Sequence, residues 1–255
     1  MNLAPVEQYF ADYLSVVETR RVKDGRLSTD ALLSKENMDE ASVFESALAK
    51  LGVDENDALS GQFMQEGITL PPNLVVMGTV NMDETTHSFS RKVLDRAMTF
   101  EMNHVDLRGG LEKENTHWSY ADPSLAANAV LGGLTRGGEV PPTSAGYEDV
   151  LTWLEQLNAI LDGTPFKVAY RVRDEFLIYV HHNSQLANKP ADWLQQCLDE
   201  LLVMKVLSRI EGDEGRVGDV LKKLKGLVPA TWSHSTKKLD EMLGKLNFGY
   251  TSFWS

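Results

Sequence analysis

Asn81, Arg96, Arg171 and Arg173 are the positions whose side chains suit work on a phosphate group. Asn81 closes the apolar run from Leu74 to Val80. A polar amide at the C-terminal end of a buried parallel strand points into the crevice where α/β folds bind ligands. There it orients a water or touches a terminal phosphate; the plainer reading is an Asn that caps a turn. The arginines offer guanidinium, which is always charged and donates in a planar fork matched to phosphate oxygens. Each also has an ordinary reading. Arg96 before a strand-like run is by default a surface ion-pair residue. Arg173 followed by Asp174 and Glu175 makes a helix start with local pairs worth about a few tenths of a kcal/mol.

Other chemistries fit the residues less well. The histidines are His87, His104, His117, His181, His182 and His234. Adjacent His181 and His182 diverge by about 100° on a helix and do not make the i, i+4 pair of a helical metal site, so no zinc is expected. Cys197 falls among Leu194, Leu198 and Leu201 at helical spacing, as a buried small hydrophobe does. No Gly-x-Ser-x-Gly elbow and no acidic cluster with nuclease spacing occurs. The formal net charge of -12 is a poor footprint for a phosphate backbone, so no direct nucleic-acid binding is expected. A single cysteine leaves no intrachain disulfide, which suits a reducing cytoplasm. No apolar run approaches the roughly 20 residues that span a membrane, and the N-terminus lacks the basic and apolar regions of a signal peptide.

The elements that position these residues follow from periodicity. Val6, Tyr9, Phe10, Tyr13, Leu14 and Val17 predict a helix over residues 4–20. Lys23 to Arg26 reads as a turn, and Val43 to Leu51 as a short helix ended by Gly52. Pro71 and Pro72 launch a buried strand over residues 73–80, and a second strand covers 97–105, where Met98, Phe100 and Met102 alternate with polar residues. Paired glycines and prolines mark residues 108–146 as a loop-rich connector with a short helix at Ser124 to Leu131. From residue 147 to 255 the pattern is helical: Val150 to Leu161, Phe176 to Val180, Leu194 to Ile210, Val217 to Leu224 and Leu239 to Leu246. The fold class expected is an α/β fragment over 1–107, then the connector, then an all-α subdomain, mostly helical in total.

The run Gly78-Thr79-Val80-Asn81 followed by Asp83-Glu84-Thr85-Thr86 resembles the sensor-1 region of the McrB-like branch of AAA+ proteins, where the stretch reads Gly-Thr-Met-Asn-Thr-Ala-Asp-Arg-Ser. That branch includes the GTPase subunit of modification-dependent restriction systems. Asn81 matches the family Asn, Glu84 the acid and Thr86 the hydroxyl, while Thr85 replaces the family Arg. Leu94-Asp95-Arg96 matches the arginine-finger position, with Arg91 a weaker candidate. The ending Gly249 to Trp254 and the run Lys205 to Ile210 are similar to the lid end of such proteins. Met1-Asn2-Leu3-Ala4 is similar to the residues after the Walker B strand, which implies a start just past that strand.

The resemblance implies the C-terminal half of an AAA+ core with its helical lid. It implies that Asn81 positions the attacking water and Arg96 reaches a neighbour's phosphates. Glu84, Thr86, and Arg171 or Arg173 would contact nucleotide, ATP or GTP with Mg²⁺. It further implies an oligomeric ring or a full-length relative as partner, and a nuclease that the ring drives. Neither a Gly-x-x-x-x-Gly-Lys-Ser/Thr loop nor an apolar strand ending in Asp-Glu occurs here. These residues alone are therefore expected not to hydrolyse nucleotide. The alternative is a non-catalytic assembly subunit that joins rings of a relative and supplies Arg96. Without the central strands, 74–80 and 97–105 would have no neighbour to pair with.

Overall fold

Apolar residues at three- and four-residue spacing dominate the chain, and helix accordingly makes up 57% of the computed structural model against 6% strand. The structure describes residues 5–23, 26–79, 90–102, 107 and 133–254. The chain divides into two units: Met1–Asn81 with Asp122–Thr135, and Met82–Ala121 with Arg136–Ser255. No helix among the described residues is long and apolar enough to cross a membrane.

The first unit opens with α1 (Val6–Tyr9) and α2 (Ala11–Val17), two short helices where the periodicity predicts one. The break falls at Phe10, whose backbone (φ -102°, ψ 6°) leaves the helical region. β1 (Arg21–Lys23) and β2 (Arg26–Ser28) pair antiparallel, with Val22 opposite Leu27; the middle of the predicted turn, residues 24 and 25, lies outside the described residues. β3 (Ala31–Leu33), α3 (Lys35–Met38), α4 (Ala41–Leu51), α5 (Ala58–Glu66) and β4 (Ile68–Thr69) follow. β3 and β4 pair antiparallel and close the three helices into a small module. Its core is Met38, Phe44 and Leu48, with Leu33, Phe63 and Ile68 packed against them. Gly52 ends α4 in the left-handed region (φ 66°), as its place after the last apolar residue predicts.

The described parts of the two expected parallel strands are not strands. Leu74 to Thr79 and Ala97 to Met102 make no ladder, and every sheet among the described residues is a two-stranded antiparallel pair. The physical reason is that a strand exists only through a neighbour's hydrogen bonds. A run that is apolar on both faces needs neighbours and covering helices, and these residues have none described. Met77 is consequently 86% exposed and Met102 90%. Expectations at residues 80–89, 103–106 and 108–132, including the short helix at 124–131, lie outside the described residues.

The second unit contains α6 (Arg91–Leu94), α7 (Tyr147–Leu161), α8 (Tyr170–Ser184), α9 (Trp193–Leu201), β5 (Glu211–Gly212), α10 (Asp219–Leu227), α11 (Ser233–Leu246) and β6 (Thr251–Ser252). All five helices read from the sequence beyond residue 147 are present. α7 buries Val150, Leu154, Leu157 and Leu161, and α8 buries Val172, Phe176, Leu177 and Val180. Trp153 stacks on Phe176 at 5.8 Å between ring centroids and meets Trp232 at 5.6 Å. Such aromatic contacts add about 1 kcal/mol each beyond area burial. Gly146 starts α7 at φ 83°, and a Cβ there would sit 2.9 Å from both Val180 and Leu194, so only glycine fits. β5 pairs with β6 and draws Phe253 fully into the core.

α9 does not run on as an α-helix. Leu202–Val206 widens into a π turn and Leu207–Arg209 tightens into a 3₁₀ turn. Within α9, buried Asp199 caps a different helix. Its carboxylate accepts from the backbone N–H of Ser235 at 2.7 Å and of His234 at 3.1 Å, the first turn of α11. The Ser235 hydroxyl donates to the same carboxylate. The residue in the N-cap position of α11 is Trp232, which supplies no side-chain acceptor. The cap therefore comes from 36 residues away. We predict that Asp199→Ala lowers stability by about 2 kcal/mol, since buried N–H groups and a hydroxyl lose their acceptor. Urea unfolding measures this, and a change below 0.5 kcal/mol would refute the cap.

Candidate functional site

A buried ammonium organises the densest set of charged side chains in the described structure. The π turn places Lys205 inside the second unit with no exposed side-chain surface. Its Nζ donates to the carbonyl oxygens of Asp95 at 3.1 Å and Ala97 at 2.9 Å, and lies 2.7 Å from Glu175 Oε2 of α8. The two carbonyls accept hydrogen bonds from the ammonium, and the Glu175 carboxylate pairs with its charge. They also fasten the end of α6 to the helices.

Around this centre stand further charges. Arg171, in the first turn of α8, donates to Asp95 Oδ2. Arg209, at the end of the 3₁₀ turn, approaches Asp95 Oδ1 at 3.5 Å and is 11% exposed. Its Nε is buried without a hydrogen-bond partner. The group thus holds three cations, Arg171, Lys205 and Arg209, against two carboxylates, Asp95 and Glu175. Burial is the largest influence on Glu175 and pushes its carboxyl above the ordinary value of 4.5, against the pull of Lys205. The Asp95 carboxylate repels it and adds to the rise.

The segment after α6 is extended and two-sided. Thr99 is buried, while Met98, Phe100 and Met102 face solvent. Glu101 pairs with Lys238 of α11 at 2.6 Å, and Lys238 lies 4.4 Å over the Phe253 ring. Arg91 lies 5.1 Å over the ring of Phe166. The stretch from Arg91 to Glu101 is therefore held by Phe166, by groups from α8 and the turns after α9, and by α11.

The residues singled out from the sequence fall as follows. Asn81, Glu84 and Thr86 lie outside the described residues. Arg96 is half-buried, and its Nη1 donates to the Lys92 carbonyl at 2.7 Å, one turn back along α6. Arg171 meets Asp95, the residue before Arg96. Arg173 turns away, donating to Asp174 at 2.6 Å and stacking over Tyr170 at 4.9 Å. The structure thus brings Arg171 to the Asp95–Arg96 pair and leaves Arg173 out. Lys205 and Arg209 are the functional candidates that periodicity alone overlooks. Their signal is two cations at i, i+4 within an otherwise largely apolar run, Leu201 to Ile210.

Two other features have different chemistry. A cleft of about 290 Å³ is lined by Asp192, Glu200, Trp232 and His234 among others. Its acidic lining is the wrong sign for a phosphate. Burial pushes the Cys197 thiol up to about 11, so it carries little thiolate at neutral pH. No cluster of three or more metal-ligating side chains occurs among the described residues.

The family model of a domain of unknown function, DUF8727, matches residues 138–249. That span holds Arg171, Glu175, Lys205 and Arg209 and excludes Asp95 and Arg96. No curated protein and no solved structure matches the chain.

Two predictions follow from the charge group. Lys205→Met should lower stability by about 3 kcal/mol, because Glu175 and two carbonyls lose a buried partner. It should also raise hydrogen exchange at residues 92–101. Unchanged exchange there would show that Lys205 does not hold the segment. Glu175 binds its proton more tightly folded than unfolded, so its contribution to stability falls as pH rises from 4.5 through its raised value. Unfolding curves of Glu175→Gln should lack that decline. Parallel pH profiles of the two proteins would exclude it.

Proposed function

We propose that this chain is the C-terminal part of an AAA+ nucleoside triphosphatase of the McrB-like branch, acting on ATP or GTP within a ring. In this reading Asn81 orients the attacking water, with Glu84 and Thr86 beside the nucleotide. Arg96 stabilises charge on the phosphoryl group bound by a neighbour. Arg171 or Arg173 lets the helical unit feel the nucleotide's phosphates. Mg²⁺ would neutralise phosphate charge, and the acids that hold it are the Walker B residues that this sequence lacks. The ring would drive a partner, such as the nuclease of a restriction system.

The observation that carries the reading is the grip of the helical unit on Arg91–Glu101. Lys205, Arg171 and Lys238 hold the segment that bears Arg96. A displacement of those helices would move Arg96 with them, which is the coupling a nucleotide-driven lid requires. The local excess of cations, against a net charge of -12, also suits a phosphate-bearing ligand.

A second reading is a non-catalytic subunit that joins rings of a relative. Val75, Met77, Phe100 and Met102, all exposed at 58% or more, favour it. Such surface is usual where a partner covers it.

The chain purified alone should give no nucleotide turnover above background. Measurable turnover would overturn that expectation. Mixed with a polypeptide carrying the phosphate loop and Walker B strand of this branch, it should restore hydrolysis. Arg96→Ala should then reduce the rate by about 10³-fold. An unchanged rate would remove Arg96 from the mechanism. Co-assembly without any gain in turnover would select the second reading.

A further inference from the structure

Away from the charge group, a serine stands against an imidazole. Ser144 Oγ lies 3.0 Å from His181 Nδ1. On the other side of the ring, His181 Nε2 lies 2.8 Å from the side-chain amide of Gln185, one turn on at the end of α8. A nucleophile, a base within hydrogen-bond reach and a third group that orients the base are the signature of an activated hydroxyl. An amide fills the third place in Cys-His-Asn enzymes. Two hydrogen-bond patterns fit these distances. With the amide NH2 toward Nε2, Nδ1 carries the ring proton and donates to Ser144. With the amide turned over, Oε1 accepts from Nε2–H, and Nδ1 is free to take the hydroxyl proton. Gln185 is exposed, so water accommodates that half-turn.

The fold sets this contact without help from a ligand. Gly146 packs so closely on Val180, the residue before His181, that no Cβ fits between them. The Ser144 N–H donates to the Pro141 carbonyl at 2.9 Å, and the Ser144 carbonyl accepts from the Tyr147 N–H at 3.1 Å. The serine backbone is thus fixed on both sides, just ahead of α7. Among the described residues, no hydrogen bond takes up the N–H of Ala145 or Gly146. The N–H of the residue after a nucleophilic serine is an oxyanion donor in the nucleophile elbow. Ser144 and His181 are half-buried, while Thr143 and Ala145 are exposed, so the hydroxyl is reached from solvent. Glu148 and Asp149 in the first turn of α7 repel an anionic substrate. Ser144, His181 and Gln185 all lie within the matched span 138–249.

We propose that Ser144 is a nucleophile toward neutral carboxylic esters, with His181 as its base and Gln185 as a positioning residue. Ser144 Oγ bonds to the ester carbonyl carbon as its proton passes to Nδ1. The bond from that carbon to the alkoxy oxygen then breaks, and the leaving oxygen takes the proton from Nδ1. Water repeats the steps on the acyl-serine. It gives a proton to Nδ1 and adds to the carbonyl carbon. The acyl–Oγ bond breaks, Oγ recovers the proton, and the carboxylic acid departs. None of this depends on the nucleotide reading.

The test uses the full 255-residue chain with two probes, p-nitrophenyl acetate and a neutral fluorophosphonate. The fluorophosphonate should modify Ser144 in the folded chain and not in the urea-unfolded chain, as located by peptide mass mapping. No modification at Ser144, or equal modification folded and unfolded, overturns the proposal, and neither result needs a variant to fold. Ester hydrolysis should be lost in Ser144→Ala; hydrolysis that survives there overturns turnover at this serine. His181→Asn should slow labelling by about 10²-fold, and an unchanged rate removes the base. Gln185→Leu should slow labelling several-fold, whereas Gln185→Glu, which restores an acceptor for Nε2–H, should return it. Equal rates in those two variants overturn the part given to Gln185. Labelling needs no nucleotide and no ring, so these outcomes leave the AAA+ reading to its own reconstitution.

Discussion

The helical unit is arranged around an ammonium that water cannot reach. Burying a lone charge costs several kcal/mol even after a protein relaxes around it. Lys205 is tolerable only because the fold delivers three acceptors to it, the carbonyls of Asp95 and Ala97 and the carboxylate of Glu175. The carbonyls come from 110 and 108 residues earlier in the chain. A short helix of four residues, α6, would not persist by itself. Its end is kept in place because the lysine cannot be left without those oxygens.

Apolar burial drives the helices together but has no direction. Leucines on α7, α8 and α9 tolerate some sliding and rotation; point charges with fixed donors tolerate much less. Lys205 sets where α6 and the residues after it lie against α8. Asp199 does the converse, an anion inside the same helical run that captures the first amides of α11. Both sit on the α9 segment and both reach partners far away in sequence. The π turn that holds Lys205 changes the rotation of the helix after Asp199, so that Asp199 faces α11 while Lys205 faces α6 and α8. Widened turns of this kind occur often at functional positions, and here one aims a cation at two carbonyls and a carboxylate rather than at another leucine.

The same arrangement links the chemistry to the packing. Arg171 and Arg209 meet at Asp95 because Lys205 has already brought Asp95's backbone to them. The surplus positive charge that results is local, set in a strongly acidic chain. Arg173, two residues from Arg171 on the same helix, points elsewhere and pairs with its neighbour Asp174. Helical rotation alone separates the two arginines, which no count along the sequence distinguishes.

The helices from residue 147 onward were legible because a 3.6-residue apolar period survives whatever the helices pack against. So was the stop at Gly52, where local backbone preference decides. The parallel strands expected over 73–80 and 97–105 did not form in their described parts, since apolar composition states an affinity for a sheet but cannot supply the neighbouring strands. The broken first helix, the π turn, and the cap lent by Asp199 were likewise invisible to periodicity. For the candidate site, the sequence by itself singled out Arg96, Arg171 and Arg173 as guanidinium groups of a kind suited to phosphate. Only the tertiary structure selected Arg171, recruited Lys205 and Arg209, and set Asp95 among them. Periodicity records which face of a helix avoids water; it carries no record of which distant carbonyl or carboxylate a buried charge must find.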